Sequence, residues 1–210
     1  MNIRRFVWLP LLSALFALNR SDACTVAVVS GQCTRDGRPL LWKHRDTDHL
    51  QNALAYFSGG RYAFVGLINA DDSLRESVWI GCNSAGFAIM NSQSYNLILR
   101  DTVKLKDREG IVMKIALERC ATLADFERLL TELPKPLGVE ANFGVIDAQG
   151  GAAFYEVDNF SFTKLDVNDP NIAPFGYLVH TNFSFTGDPD RGMGQTRFAT
   201  AEQLFYRAYE

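Results

Sequence analysis

Cys24 is the strongest candidate for a reactive residue, because the segment before it has the pattern of a removable secretory signal. An Arg-Arg pair at positions 4 and 5 precedes an apolar run of 13 residues, and Ser21-Asp22-Ala23 follows as a small-residue cleavage pattern. Cleavage after Ala23 gives Cys24 a free α-amine beside its thiol. An α-amine titrates at about 7.7–8.0 and can deprotonate a neighbouring thiol near neutral pH. We therefore predict that residues 1–23 are a signal peptide and that Cys24 is a nucleophile.

The same cysteine has a second interpretation, in which it is the lipidated residue of a bacterial lipoprotein. Lipidation sites have an apolar residue three positions before the cysteine and a small one two positions before it, whereas this chain has Ser21 and Asp22 there. These two positions argue against lipidation. The alternative, a membrane-tethered binding module whose cysteine is not a nucleophile, stays open.

Length and charge exclude several other classes of protein. The apolar run before Cys24 is shorter than the roughly 20 residues that a membrane-spanning helix needs, and no later segment is long and apolar enough. We therefore predict a secreted or periplasmic protein without a stable membrane span. Residues 24–210 carry 18 basic and 23 acidic side chains in a scattered arrangement, which gives no footprint for nucleic acid. Their number suits a single domain.

The remaining cysteines give no pattern for a metal or another cofactor. Cys33, Cys82 and Cys120 lack C-x-x-C spacing, and no cluster of His, Cys and carboxylate side chains has ligand spacing. Export makes one disulfide among these three possible, and the pairing stays open. Cys82 and Cys120 are predicted to be buried, inert small hydrophobes.

The elements that must position Cys24 form two groups of strands with a helical pair between them. The predicted strands span residues 24–30, 39–43, 61–69, 77–82, 86–92, 142–148, 152–158, 160–167 and 177–181. A helix is predicted over 109–121, a second begins at the capping box Thr122–Asp125, and a third begins near Gln195. Short turns between successive strands imply antiparallel sheets covered by helices, an α+β sandwich. The chain stops inside a helical pattern, which predicts that a C-terminal portion is missing.

Short motifs in a fixed order resemble one enzyme family. Cys24-Thr25 opens a strand, Asp36-Gly37 lies in a turn, and Lys43-His44-Arg45-Asp46 ends the returning strand. The later motifs are Gly81-Cys82-Asn83-Ser84-Ala85-Gly86-Phe87, Met90-Asn91, His180-Thr181-Asn182 and Gln195-Thr196-Arg197-Phe198. The ordered set resembles the N-terminal-nucleophile (Ntn) hydrolases that use cysteine. These include choloylglycine hydrolases, penicillin V acylases and the isopenicillin N acyltransferase relatives.

The resemblance implies a fold, a reaction and a partner. The fold would be a four-layer αββα sandwich of two antiparallel sheets flanked by helices. The reaction would be hydrolysis of a linear amide bond in an N-acyl compound, such as a conjugated bile acid or a penicillin V-like amide, through a thioester on the cysteine. The partner would be that small-molecule acyl amide. Acyl transfer through the same thioester stays open, as does a homo-oligomer, because homo-oligomers are common in the family.

The resemblance also implies roles for individual residues. Cys24 would be the nucleophile, with its own α-amine as the base, and Asp46 would hold the α-ammonium in position. Asn91 would donate its side-chain amide to the oxyanion, and Asn182 would be a second oxyanion donor or would orient the amine. Arg197 would support the nucleophile from the start of the last helix.

One position departs from the family pattern. The family's arginine aligns with Lys43, while Arg45 lies two residues later and therefore on the same face of a strand. Either cation beside the thiolate would lower the pKa of the cysteine. Register favours Lys43, and Arg45 stays open as its substitute.

Other polar and aromatic residues near these motifs have structural interpretations. Asn83 is predicted to be a turn residue. His180 could form a Cys–His pair, but a histidine on an apolar strand is more often a hydrogen-bonded core residue. Four aromatic side chains are candidates for the lining of a hydrophobic acyl pocket, although aromatic residues at this density usually belong to the core: Trp42, Phe57, Tyr62 and Trp79.

Overall fold

A computed structural model describes residues 23–98 and 102–210, and the predicted signal segment 1–22 lies outside them. The strands are β1 (Thr25–Val29), β2 (Leu40–His44), β3 (Asn52–Phe57), β4 (Phe64–Asn69), β5 (Ile80–Asn83), β6 (Ala88–Gln93), β7 (Ala141–Ile146), β8 (Ala152–Val157), β9 (Phe162–Asp166) and β10 (Tyr177–His180). The α-helices are α1 (Glu109–Arg119), α2 (Leu123–Glu132) and α3 (Gln195–Tyr209), and a 3-10 helix spans Gly31–Cys33.

The strands form two antiparallel sheets. The smaller sheet has the order β10-β1-β2, so the strand that follows Cys24 lies at its centre. The larger sheet runs from β3 to β9 in sequence order. The β-branched sequence of β1 is consistent with burial on both faces, because the larger sheet covers one face and α3 covers the other.

Three apolar clusters separate four layers. Helices α1 and α2 pack on one face of the larger sheet through side chains such as Leu117 and Phe126. The other face of that sheet meets the smaller sheet, where Val26 and Val28 contact residues including Phe154. On the far side of the smaller sheet, α3 packs through Ala201. The layer order is therefore helices, sheet, sheet, helix, as predicted.

The capping box predicted for α2 is present. The Thr122 hydroxyl accepts from the backbone N–H of Asp125, and the Asp125 carboxylate accepts from the backbone N–H of Thr122. The burial of Phe126 and Leu130 on one helix face completes the amphipathic pattern that the sequence indicated.

Strand β3 was not predicted. Its residues Leu54 and Tyr56 are apolar but exposed, at 76% and 64%, so the segment lacks the polar and apolar alternation of a half-buried strand. It pairs with β4 at the edge of the larger sheet. The remaining strands lie where they were predicted, with ends shifted by a few residues.

The predictions for the cysteines are only partly confirmed. All four cysteines are free thiols, so none of the open pairings is formed. Cys120 is buried as predicted, and burial raises the pKa of its thiol to about 12. The prediction for Cys82 was wrong, because its side chain lies on the exposed face of β5.

Within the described ranges, no helix has the length and apolar character needed to cross a membrane. In the same part of the chain, no group of three or more His, Cys, Asp or Glu side chains is arranged to hold a metal ion.

Candidate active site

Cys24 lies at the start of β1 and lines a cavity of about 290 Å³. Its side chain is only 8% exposed. The carbonyl oxygen of Asp46 accepts a hydrogen bond from the backbone N–H of Ala23 at 3.3 Å and lies 3.8 Å from the Cys24 sulfur. Ala23 and Cys24 are therefore held beside the segment that follows β2, and Cys24 lines the cavity.

Strand pairing brings the predicted site residues to this cavity. In the smaller sheet, Val26 is opposite Lys43 on one side and His180 on the other, so the residues just before β1 approach the ends of both neighbours. Five of the six predicted site residues line the cavity, all except Arg197, and nine other residues line it as well. The complete lining is Cys24, Lys43, Arg45, Asp46, Thr47, His49, Asn69, Ser77, Trp79, Asn91, Gln93, Asp107, Glu109 and Asn182.

Lys43 and Asn91 are paired directly across the two sheets. The Lys43 ammonium donates to the backbone oxygen of Asn91 at 2.6 Å and to its side-chain Oδ1 at 2.8 Å. Asn91 is buried on β6 and faces the cavity. Since Oδ1 is turned toward Lys43, the amide N–H₂ of Asn91 remains as the group that can donate to an oxygen in the cavity.

Arg45 lines the same cavity but is held by other partners. Its guanidinium donates to the side-chain oxygens of Asn52 and, at 2.7 Å, of Asn69. Its Cζ also lies 5.1 Å from the ring centre of Trp79, a cation–π distance. Lys43 and Arg45 therefore both face the cavity, as the strand periodicity predicted, and Arg45 fixes the edge of the larger sheet.

Asp46 contacts Cys24 through its main chain. Its carbonyl oxygen is the atom beside the Cys24 thiol, while its side chain is exposed and lines the cavity. In the uncleaved chain the Cys24 nitrogen is a peptide nitrogen. The Asp46 carboxylate lines the same cavity as the Cys24 thiol.

Arg197 connects the nucleophile strand to the segment that follows β10. Its Nη1 donates to the Cys24 carbonyl oxygen and, at 3.1 Å, to the Thr25 hydroxyl. Its Nη2 donates to Asn182 Oδ1 at 2.8 Å. Asn182 is fully buried and donates from Nδ2 to the Gln93 carbonyl oxygen at 2.9 Å. Arg197 thus reaches the site from behind Cys24, at the start of α3.

A buried polar network holds Asn182 in place. Asn142 on β7 donates to the Phe183 carbonyl oxygen at 3.1 Å and accepts from the Ser184 hydroxyl at 2.5 Å. Asn96 accepts from the Ser184 N–H at 2.7 Å. Buried hydrogen bonds of this kind fix a loop against a sheet, so the position of Asn182 is set by the larger sheet.

The residues with structural interpretations lie outside the cavity. Asn83 accepts from the N–H groups of Ala85 and Phe87 and donates to the Leu117 and Cys120 carbonyls, so it is a turn residue that also holds the end of α1. His180 is fully buried as predicted, and its Nε2 lies 3.4 Å from the buried Glu156 carboxylate. Neither ring nitrogen makes a hydrogen bond among the described residues, so the expectation of a hydrogen-bonded histidine was wrong.

Most of the aromatic residues considered for an acyl pocket lie elsewhere. Trp79 lines the cavity. Trp42 packs against Phe205 of α3, and Phe57 stacks on Phe64 beneath α1. Tyr62 lies beside Arg61 on the loop between β3 and β4.

Several residues that line the cavity were not predicted from the sequence, above all Gln93, Asp107 and Glu109. Gln93 lies two residues after Asn91 on β6 and so shares its face, a signal that was available. Asp107 and Glu109 reach the cavity because the start of α1 packs against the segment before β5. Nothing in their local sequence indicates that long-range contact.

A sequence model of one protein family matches most of the described chain. The family is described as acyl-coenzyme A:6-aminopenicillanic acid acyl-transferase, and the match covers residues 37–201. The chain belongs to this family. The assignment confirms the resemblance to the cysteine Ntn hydrolases and their acyltransferase relatives that the ordered motifs indicated. No curated protein matches the chain in sequence.

Two solved structures share the fold of this acyl-transferase family member. An N-acylethanolamine-hydrolyzing acid amidase ortholog from Caenorhabditis elegans superposes with a TM-score of 0.64 at 18% identity, over 86% of this chain and 77% of that one. A variant of conjugated bile acid hydrolase from Clostridium perfringens superposes with a TM-score of 0.52 at 13% identity, over 87% of this chain and 57% of that one. These similarities confirm the αββα Ntn-hydrolase fold.

Proposed function

We propose that the chain, once it begins at Cys24, hydrolyses the amide bond of a linear N-acyl compound through a thioester on Cys24. The observation that carries this proposal is the position of the thiol: it is buried at the start of β1 and lines a cavity with Asn91 and Asp46. An amidase needs a nucleophile, an oxyanion donor and a group that orients the base, and these side chains supply the three types.

The reaction proceeds in two balanced halves. The Cys24 α-amine takes the thiol proton while sulfur attacks the carbonyl carbon, forming a C–S bond. The tetrahedral intermediate collapses with cleavage of the C–N bond, and the α-ammonium returns the proton to the leaving amine. Water then attacks the thioester with the α-amine again as base, which releases the carboxylic acid and restores the thiol.

Each neighbouring side chain has a task in this scheme. Asn91 donates its amide N–H to the oxyanion, and Lys43 holds the Asn91 amide in that orientation. Asp46 holds the α-ammonium within the cavity. Asn182 and Arg197 position Cys24 from the other side, because Arg197 bonds the carbonyl oxygen of Cys24 and the side chain of Asn182.

The class of substrate is supported by what the two structural neighbours are named for. One is named for hydrolysing N-acylethanolamines and the other for hydrolysing conjugated bile acids. Each of these compounds joins an acyl group to an amine through a linear amide. We extend that class, and amidohydrolase chemistry with it, to this chain.

Acyl transfer is a second candidate, and the family description favours it. The family is named for moving an acyl group between coenzyme A and 6-aminopenicillanic acid. The same Cys24 thioester serves both outcomes, because an amine in place of water resolves it to a new amide. Product analysis in the presence of a free amine separates the two reactions.

We further propose that residues 1–23 are removed during secretion, to the periplasm or outside the cell, and that this exposes the Cys24 α-amine. The experiment is expression of the full chain with its leader, followed by intact-mass measurement of the secreted form. We expect a mass that begins at Cys24 with no adduct. Diacylglycerol on the thiol would contradict the proposal and support the lipoprotein alternative.

Activity is tested on the same preparation with a panel of N-acyl amides. We expect Cys24→Ser to lower the rate by orders of magnitude, because serine is a poor nucleophile for an α-amine base. Cys33→Ser is the matched control, since Cys33 is an exposed free thiol outside the cavity. A form that carries one extra residue before Cys24 should also be inactive. Full activity of either altered form would overturn the proposal.

A further inference from the structure

Part of the cavity wall carries carboxyl groups that the chemistry at Cys24 does not use. Asp107 and Glu109 line the cavity of Cys24 and also an adjoining cavity of about 110 Å³. Gln93 lines both spaces as well. The three shared residues make the two spaces one cleft, with the nucleophile in the larger part.

Glu109 is fixed at this junction by the packing of α1. Glu109 is the first residue of that helix, and the next residue, Gly110, lies against Ser77 so closely that a Cβ at position 110 would be 2.6 Å from the Ser77 Cβ. The Gly110 carbonyl accepts from the Val78 N–H at 3.1 Å. Ser77 and Trp79 on either side line the cavity, so the helix start is held against the cavity wall.

Among the described residues, the buried Glu109 carboxyl has no cationic partner. The residue is only 6% exposed, and its Oε1 accepts from the Glu140 N–H at 3.1 Å. Within residues 23–98 and 102–210, no lysine or arginine forms an ion pair with it. Burial, assisted by the nearby Asp107 and Glu140 carboxylates, raises the pKa of Glu109 to about 7. A cation that enters the cleft would stabilise the ionised form of this buried carboxyl.

Along β2 and β4, the residues that precede the cavity-lining positions on the same face are apolar. On β2 the residue two positions before Lys43 on the same face is Leu41, and on β4 the residue two positions before Asn69 is Leu67. Leu41 and Leu67 line an apolar groove of about 310 Å³ together with Ile80. An apolar acyl group is favoured toward that end, which leaves the carboxyl-lined junction for the amine.

We propose that Asp107 and Glu109 bind the leaving-amine part of the substrate, and that the preferred substrates are N-acyl amines whose leaving amine carries a second, positively charged amino group. This inference rests on the proposed amidase function and names the substrate class within it. Glu109 and Asp107 are specificity residues, and they take no part in breaking the amide bond.

The ionisation of Glu109 makes this binding depend on pH. A cation in the cleft stabilises the ionised carboxylate, so binding releases a proton and weakens as the pH falls below about 7. The other charged and titratable groups that line the two spaces are Cys24, Lys43, Arg45, Asp46, His49, Lys106, Asp107 and Glu140. Glu109→Gln tests its own share, because glutamine keeps the acceptor for the Glu140 N–H and cannot ionise.

The test is calorimetric binding of two ligands to the Cys24→Ala protein, which cannot turn them over. The ligands share an octanoyl group and differ in the amine: N-octanoyl-1,2-diaminoethane carries an ammonium where N-octanoylethanolamine carries a hydroxyl. At about pH 8 we expect the ammonium ligand to bind about 10-fold more tightly. Glu109→Gln and Asp107→Asn should each reduce that preference without changing the hydroxyl ligand. Glu118→Gln, at the other end of α1, should leave it intact.

Equal affinities for the two ligands, or no binding of either, would overturn the inference. So would loss of affinity for both ligands in Glu109→Gln, since that indicates a structural role. Thioester formation on Cys24 in the parent protein is measured separately. A thioester with equal affinities removes the inference alone, and a charge preference without any thioester removes the proposed amidase function alone.

Discussion

The Lys43 ammonium donates to both oxygens of Asn91, to the backbone oxygen at 2.6 Å and to Oδ1 at 2.8 Å. This pairing crosses from the smaller sheet to the larger one. It sets which end of the Asn91 amide faces Lys43 and which end can donate into the cavity beside Cys24. Lys43, one of the two candidate active-site cations, therefore orients the side chain of the proposed oxyanion donor.

Asn91→Ala should remove the oxyanion donor. We expect a loss of roughly 2.7–4 kcal/mol in transition-state stabilisation, about 100- to 1,000-fold in kcat. Asn83→Ala is the matched control, because Asn83 makes four hydrogen bonds to backbone groups outside the cavity. That control should lose about 2–4 kcal/mol of stability and keep its kcat. Equal kinetic losses in the two variants would contradict the role of Asn91.

Substitution of the two candidate cations should separate them. Lys43→Met should lower kcat/KM about 10- to 100-fold, since a charged hydrogen bond to Asn91 contributes about 1.5–3 kcal/mol. Arg45→Met should mainly lower the melting temperature, because Arg45 bonds Asn52 and Asn69 and lies over Trp79. Kinetics and thermal unfolding of both variants provide the measurement. A larger kinetic loss in Arg45→Met would assign the role to Arg45.

Arg197→Lys should misplace the nucleophile without removing charge. A lysine cannot reach the Cys24 carbonyl and Asn182 with a planar fork, so one of these contacts is lost. We expect kcat/KM to fall about 10-fold or more, and the melting temperature to fall as well, because a hydrogen bond from a charged group contributes about 1.5–3 kcal/mol. Unchanged kinetics would show that the link between α3 and Cys24 is only structural.

His180 should make the fold sensitive to acid. Burial of the ring lowers its pKa from 6.5 to about 3, so protons bind the unfolded chain more readily than the folded one. Ionisation of His180 does not affect the free energy of unfolding above pH 6.5. As the pH falls from 6.5 toward 3, that free energy decreases by about 1.4 kcal/mol per pH unit. Denaturant unfolding across this range should show a shallower acid slope in His180→Gln. The exposed His44→Gln should keep the parent slope, and an identical slope in all three proteins would refute the prediction.

The site could be predicted from the sequence where its residues belong to recognisable motifs on successive strands. Cys24, Asp46 and Asn91 carry motifs in the family's order, and short turns made antiparallel pairing predictable, so the cavity could be anticipated from those residues. Glu109 could not, because it joins the site through contact between the start of α1 and Ser77, more than 30 residues earlier in the chain. Strand β3 was hidden because its exposed face is apolar.

The proposed mechanism requires an acyl group on the sulfur of Cys24. The most direct measurement is acid quenching of the processed protein during turnover of an N-acyl amide, followed by intact-mass and peptide-level mass spectrometry. We expect a mass increase equal to the acyl group on the peptide that begins with Cys24, present in Cys33→Ser and absent in Cys24→Ala. Turnover with no acyl adduct, or with the adduct on another residue, would contradict the proposed mechanism.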